Sequence, residues 1–181
     1  MLNKSEKLII LGKSGSGKDF LMRKLVEEGL KGCLKMTTRP QRSNEIQNMT
    51  YSFVDHSIFE NNLKNNNFIC YQEFKVTPLN KLPEVWYYGI TKEEFNNSQV
   101  FIMTPGELNQ IDSETRKKCF VVYLDIDRQV RENRIIRRND SNDSVMRRLN
   151  SDELDFQNFR DYDLKLTDPE FLASDIINLM D

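Results

Sequence analysis

A chain of 181 residues has room for one domain with a real core, and a formal net charge of −2 with 30% charged residues offers no broad basic surface for nucleic acid or lipid. Three scattered cysteines, Cys33, Cys70 and Cys119, form no C-x-x-C pair, and the single histidine, His56, excludes histidine clusters and argues against Ser-His catalysis, so the chain reads as a reduced, cytoplasmic protein without structural zinc. No apolar stretch approaches membrane-spanning length, and Met1 to Lys7 is too short and polar for a secretion signal.

The apolar run Leu8 to Leu11 predicts a buried strand. It delivers Gly12-Lys13-Ser14-Gly15-Ser16-Gly17-Lys18, which meets G-x-x-x-x-G-K in full, with Asp19 where Ser or Thr usually follows the lysine. Glycines let the backbone fold into a concavity of N–H donors, and the helix that follows adds positive potential at its N-terminus. Lys18 can then reach the outer phosphates of a nucleotide, so Gly12 to Asp19 is the expected nucleotide-binding element.

Helix spacing is predicted from Lys18 to Leu30, with Leu21, Met22, Leu25 and Val26 as its core stripe and Gly29 and Gly32 marking its end. A short strand is expected over Cys33 to Met36, then a polar loop from Thr37 to Glu45 stiffened by Pro40. Tyr51 to Val54 alternates as a strand does, and Asp55 can cap a helix reaching Asn65 that starts with His56. Phe68 to Phe74 reads as a strand, Lys75 to Val85 as an irregular excursion with two prolines, and Trp86 to Ile90 as another strand.

Thr91 and Glu94 have the spacing of a capping box. Val100 to Met103 and Lys118 to Leu124 are further strands, and Pro105 suits the first turn of a helix. Asp127 is the expected cap of a helix to Asn139 carrying Arg128, Arg131, Arg134, Arg137 and Arg138, of which Arg128 and Arg131 read as surface residues. Asp140 to Asp143 breaks that helix, and a second runs from Val145 to Arg160; a strand over Leu164 to Leu166 and a helix after Pro169 close the chain. Strands alternating with helices predict an α/β fold with a parallel sheet flanked by helices.

A second constellation lies outside the glycine-rich loop. Arg39 and Arg42, three apart, with Tyr51 and Tyr88, would supply the guanidinium donors and neutral hydroxyls that a phosphate monoester needs. Residue type alone leaves this open against a solvated loop with half-buried strand tyrosines.

The order of these pieces, from the phosphate loop through Thr37-Thr38-Arg39-x-x-Arg42-x-x-Glu45, Tyr51-x-Phe53-Val54 and Tyr87-Tyr88-Gly89 to an arginine-rich helix and a polar break, resembles the guanylate kinase family along nearly the whole chain. The resemblance implies a P-loop NTPase core (about 1–36, 99–134 and 161–181), a nucleoside monophosphate-binding subdomain (about 37–98) and a lid (about 135–160), together a single domain. It implies transfer of the γ-phosphoryl of Mg-ATP to the phosphate of (d)GMP by a monomer or homodimer. Arg39, Arg42, Tyr51 and Tyr88 would hold the acceptor phosphate, Glu45 would support the arginines, and Arg134, Arg138 and Arg148 would join Lys18 around the transferring group. Such chemistry needs positioning and charge neutralisation more than a protonic base.

The sequence departs from the family at two places. Asp19 puts a carboxylate where a hydroxyl usually meets Mg²⁺; it is also a hard oxygen ligand, directly or through water. The family's guanine-reading positions correspond to Lys35, Cys70, Thr91 (just past Ile90) and the Met103–Pro105 segment; of these Thr91 alone suits a base contact, with Gln72 or Glu73 as substitutes. These departures admit another acceptor, such as ribose 1,5-bisphosphate or a different (d)NMP. A non-catalytic binding module is the alternative of a different class. Leu124-Asp125-Ile126-Asp127 copies the letters of the missing family motif, but its place before the lid helix makes that a coincidence.

Overall fold

A computed structural model describes residues 7–41, 45–47, 51–76, 83–138, 145–171, 173–174 and 176. In order they form β1 (Lys7–Gly12), α1 (Lys18–Glu27), β2 (Met36–Thr37), β3 (Ser52–Phe53), α2 (His56–Lys64), β4 (Phe68–Val76), β5 (Glu84–Thr91) and α3 (Lys92–Asn97). Then follow β6 (Val100–Ile102), α4 (Pro105–Leu108), α5 (Ser113–Arg116), β7 (Cys119–Leu124), α6 (Arg128–Arg138), α7 (Val145–Phe156) and β8 (Leu164–Leu166). No described helix is long and apolar enough to cross a membrane.

The first sheet has the order β6-β1-β7-β8, with every neighbouring pair parallel. β1 is central, Leu8 pairing with Val100 on one side and Phe120 on the other. Alternate side chains point to opposite faces. Ile9 and Leu11 therefore enter one cluster with Phe101, Val121 and Tyr123, whereas Leu8 and Ile10 enter another with Val122, Leu124 and the α1 residues Leu21 and Leu25. Burial on both faces is why the sequence there is one unbroken apolar run.

The second sheet, β3-β2-β5-β4, is mixed and stands apart from the parallel core sheet that was expected and is found. β2 and β3 are parallel, but β5 runs antiparallel to both β2 and β4. β4 ends at Val76 and β5 begins at Glu84, a span shorter than the crossover of a dozen or more residues that parallel neighbours need, so the two pair antiparallel. Both sheets share a core, because Cys70 and Ile90 of the second pack into the cluster of Ile9 and Phe101.

Several boundaries move for local reasons. α1 stops at Glu27, ahead of Gly29 with its φ of 97°, and Val26 is exposed while Met22 only borders the core. The strand expected over Cys33 to Met36 shrinks to Met36–Thr37, and Cys33 donates its N–H to the Val100 carbonyl at 2.8 Å. Thr91 does cap α3, accepting from the Glu94 N–H at 3.1 Å, but the Glu94 carboxylate serves Leu34 N–H and Ser98 Oγ, so the box is not reciprocal. The reciprocal box is Thr104 with Glu107, around Pro105. Asp127 caps α6 through the Gln129 N–H at 2.8 Å, and α7 ends at Phe156, short of Arg160. Most of the excursion after Val76, and the polar break 140–143, lie outside the described residues.

Candidate active site

The glycine-rich loop leaves the central strand at Gly12 and enters α1 at Lys18. Gly12 faces Ser16: a Cβ there would meet Ser16 Oγ at 2.5 Å. Gly15 has φ +79° and lies against α6, where a Cβ would stand 2.6 Å from the Arg131 carbonyl oxygen. Both positions require glycine for close approach. Lys18 Nζ donates to the carbonyls of Gly12 at 2.6 Å and Lys13 at 3.1 Å, curling the side chain over the loop.

Two arginines of α6 reach the same loop. Arg134 donates to the carbonyls of Gly15 and Ser16, each at 3.4 Å, and to Pro169 at 2.9 Å. Arg131, expected on the surface, is instead 1% exposed. Its Nε donates to the Ile126 carbonyl at 2.9 Å, one terminal nitrogen to the Ser14 carbonyl at 3.4 Å, and the other to Glu153 at 2.7 Å. A guanidinium can be buried only when its donors are met and its charge is paired, and here α7 supplies the pair. Glu153 also accepts from Lys13, and Asp152 accepts from the Ser14 N–H at 2.7 Å. Burial works against the Glu153 charge, but Lys13 and Arg131 hold its carboxyl below the ordinary range. Arg128 is the more exposed residue expected, bonded to Asn150 at 3.1 Å. Arg138 ends α6 and Arg148 lies within α7, but their side chains are outside the described residues, as is Arg42 altogether.

Across from the loop, Arg39 is 5% exposed and held on several sides. Glu45 accepts from both terminal nitrogens, at 2.6 and 3.0 Å, Tyr88 Oη accepts from Nε at 3.1 Å, and the guanidinium lies 5.5 Å from the ring centres of Tyr51 and Phe53. Burial opposes the Arg39 charge, yet Glu45 and the two tyrosines keep its pKa above the usual arginine value. Tyr51 is pushed up to about 12, by burial first and further by the Asp19 carboxylate, against the opposing charge of Lys35. It therefore presents a neutral hydroxyl at pH 7.

A cavity of about 280 Å³ joins these parts. Gly12, Ser14 and Lys18 form one side, Tyr51, Phe74, Trp86 and Tyr88 another, and Lys35, Met103, Thr104 and Glu107 complete the lining with α7 residues including Asp152 and Asp155. Thr91 is not in this lining; its hydroxyl oxygen accepts from the Glu94 N–H in the α3 cap. Gln72 accepts from Thr104 Oγ1 at 2.6 Å, and Glu73 is exposed. A larger hollow of about 510 Å³ lies by Tyr123, Phe156 and Lys165. It is lined by Lys13, Arg160 and Lys165 but by neither Lys18 nor the paired Tyr51 and Tyr88, so it does not join the two constellations.

No group of three or more His, Cys, Asp or Glu side chains among the described residues could cage a metal. Asp19 is exposed in the first turn of α1, and its charge is felt at Tyr51 in the cavity wall. A lone carboxylate there fits a magnesium ion, which takes one or two carboxylates and fills its shell with phosphate oxygens and water.

Arg131, Asp152, Glu153 and Glu107 were not singled out by sequence reasoning as site residues. Glu107 had a signal in the T-x-x-E pattern of Thr104 to Glu107. The α7 carboxylates had none, since their partners lie in the loop more than a hundred residues away and, for Glu153, on a different helix at Arg131 as well.

A family model described as guanylate kinase matches residues 4–173. A guanylate kinase of Nostoc sp. is 31% identical over 180 residues, covering 94% of this chain and 86% of the relative. One from Mycoplasma genitalium is 27% identical over 183 residues, covering 93% and 71%. Among solved structures, the crystal structure of guanylate kinase from Anaplasma phagocytophilum superposes with a TM-score of 0.66 at 17% identity, covering 99% of this chain and 86% of that one.

Proposed function

Because the chain belongs to the guanylate kinase family, we propose that it transfers the γ-phosphoryl group of ATP, with Mg²⁺, to the phosphate of GMP or dGMP. The observation that carries this reading is the shared cavity: the loop with Lys18 and the wall with Tyr51 and Tyr88 face one space. In this reading Gly12 to Lys18 cradle the donor phosphates, and Lys18 exchanges its two loop carbonyls for phosphate oxygens. Asp19 would hold a magnesium ion, directly or through water, and such an ion would supply positive charge beside the donor phosphates. Arg39, with Arg42, Tyr51 and Tyr88, holds the acceptor phosphate, and Glu45 fixes the Arg39 fork.

Arg134, Arg138 and Arg148 neutralise the transferring group. Residues about 37–98 then act as the acceptor-binding region and about 135–160 as a lid on the remaining core. Neither another acceptor nor a binding module without catalysis is favoured, since the family model and the relatives it matches are guanylate kinases, and Lys18, Arg134 and the paired tyrosines all border the loop or its cavity. The free thiols Cys33, Cys70 and Cys119 suit a reducing cytoplasm.

The test is ADP release from Mg-ATP with GMP, dGMP, AMP, CMP, UMP, dTMP and ribose 1,5-bisphosphate in turn. Turnover should be fastest with GMP or dGMP and fall at least about 100-fold in Lys18→Ala. Turnover confined to ribose 1,5-bisphosphate, or no turnover with any acceptor, would overturn the proposal.

A further inference from the structure

Lys35 and Glu107 are 72 positions apart in sequence and meet at the cavity lining, Nζ donating to both carboxylate oxygens at 2.8 Å. Glu107 is the deeper partner, its side chain 1% exposed against 14% for Lys35. The Glu107 carboxylate also accepts from the Thr104 N–H at 2.9 Å, within the capping box of α4. Its acceptor capacity is thus turned into the protein. An ammonium has three N–H donors and no acceptor, and two are directed at Glu107. That leaves one N–H of the ammonium on a residue that lines the cavity, together with the aromatic surfaces of Phe74 and Trp86 and the apolar side chain of Met103. Burial works against the ammonium charge, but Glu107 wins and holds Lys35 above the ordinary lysine value, so it stays protonated.

We propose that Lys35, oriented by Glu107, is the base-reading donor of the acceptor pocket, and that the pocket accepts 6-oxopurine nucleotides as a class, IMP as well as GMP. This rests on the acceptor reading given above. Guanine and hypoxanthine both turn O6 and N7 acceptors toward such a donor, whereas adenine replaces O6 with an amino donor that meets the ammonium head-on. The 2-amino group, which alone separates GMP from IMP, needs an acceptor, and both oxygens of Glu107 already accept from Lys35, one of them from the Thr104 N–H as well. Among the described residues the other carboxylates of the lining, Asp152 and Asp155, come from α7, with Asp152 tied to the loop at Ser14.

Trp86 is the only tryptophan of the chain and lines the cavity, so its fluorescence reports base binding without catalysis. Titration with GMP, IMP and AMP in the absence of ATP should give Kd values for GMP and IMP within about threefold and for AMP about 10- to 100-fold weaker. Lys35→Met should bring all three within about threefold of one another, by weakening GMP and IMP. Since Lys35→Met strands a buried carboxylate, the double variant Lys35→Gln with Glu107→Gln, which keeps a neutral hydrogen bond in place, is measured beside it and should lose the same preference. GMP bound more than about tenfold tighter than IMP, or a preference for GMP over AMP that survives both variants, would overturn the inference. Loss of the GMP-over-AMP preference in Asp155→Asn would move the reading role to α7 and overturn it as well. The binding order stands even if no acceptor is turned over, and turnover of GMP stands even if Lys35 plays no part, so the two proposals fail separately.

Discussion

Replacing Arg131 with Met keeps most of the apolar stem and removes the guanidinium that ties α6, α7 and the loop together. Lost are the 2.7 Å bond to Glu153, the 2.9 Å bond to the Ile126 carbonyl and the 3.4 Å contact to the Ser14 carbonyl. Breaking a fully buried pair costs about 3–5 kcal/mol. Glu153 is 37% exposed, so water recovers part of its solvation, and the expected loss is about 2–3 kcal/mol. For a domain of this size each kcal/mol moves Tm by about 2–4 °C, which predicts a fall of about 5–10 °C in a thermal melt. Glu153→Gln can still accept from Arg131 and should cost less, and the double variant should lose less than the sum of the two.

Glu153 has its carboxyl held below the ordinary range, so its contribution is fully present above that range and disappears as pH falls through the depressed value. The gap between wild type and Arg131→Met should therefore narrow on acidification. A fall of less than about 2 °C at neutral pH, or strict additivity in the double variant, would refute the buried-pair argument.

Two other substitutions probe the loop itself. Gly15→Ala forces a Cβ toward the Arg131 carbonyl at a backbone angle that L-residues rarely adopt, so a loss of about 1–3 kcal/mol is expected in urea unfolding; wild-type stability would show that the loop relaxes freely. Asp152→Asn removes a negative charge bonded to the Ser14 N–H and should tighten ATP binding by about two- to fivefold in calorimetric titration. An unchanged or weaker Kd would mean that Asp152 does not face the phosphates.

What could be read in the sequence was what repeats locally or follows a fixed spacing. The unbroken apolar run of β1, the helical stripe of Leu21 and Leu25, and the glycine spacing of the loop each follow from contacts within a few residues, and the structure reproduces them. Arg131 escaped because a helix rich in arginine looks solvated on every face until its neighbour is known, and that neighbour, Glu153, arrives 22 residues later on a different helix. Lys35 was visible as a departure at a base-reading position, but its partner Glu107 lies 72 residues away. The second sheet was hidden for a related reason: strand periodicity reports which face is buried, not which direction a neighbour runs.

The central position of β1 also bears on how the chain comes together. The strand that carries the loop is completed on one side by Val100 to Ile102 and on the other by Cys119 to Leu124. During synthesis it therefore waits for partners made roughly a hundred residues later, whereas the hairpin of β4 and β5 is complete once Thr91 has emerged. The second sheet is expected to form early and the loop to take shape late. A nucleotide is then a ligand of the finished fold, stabilising it by mass action after assembly rather than guiding the first steps.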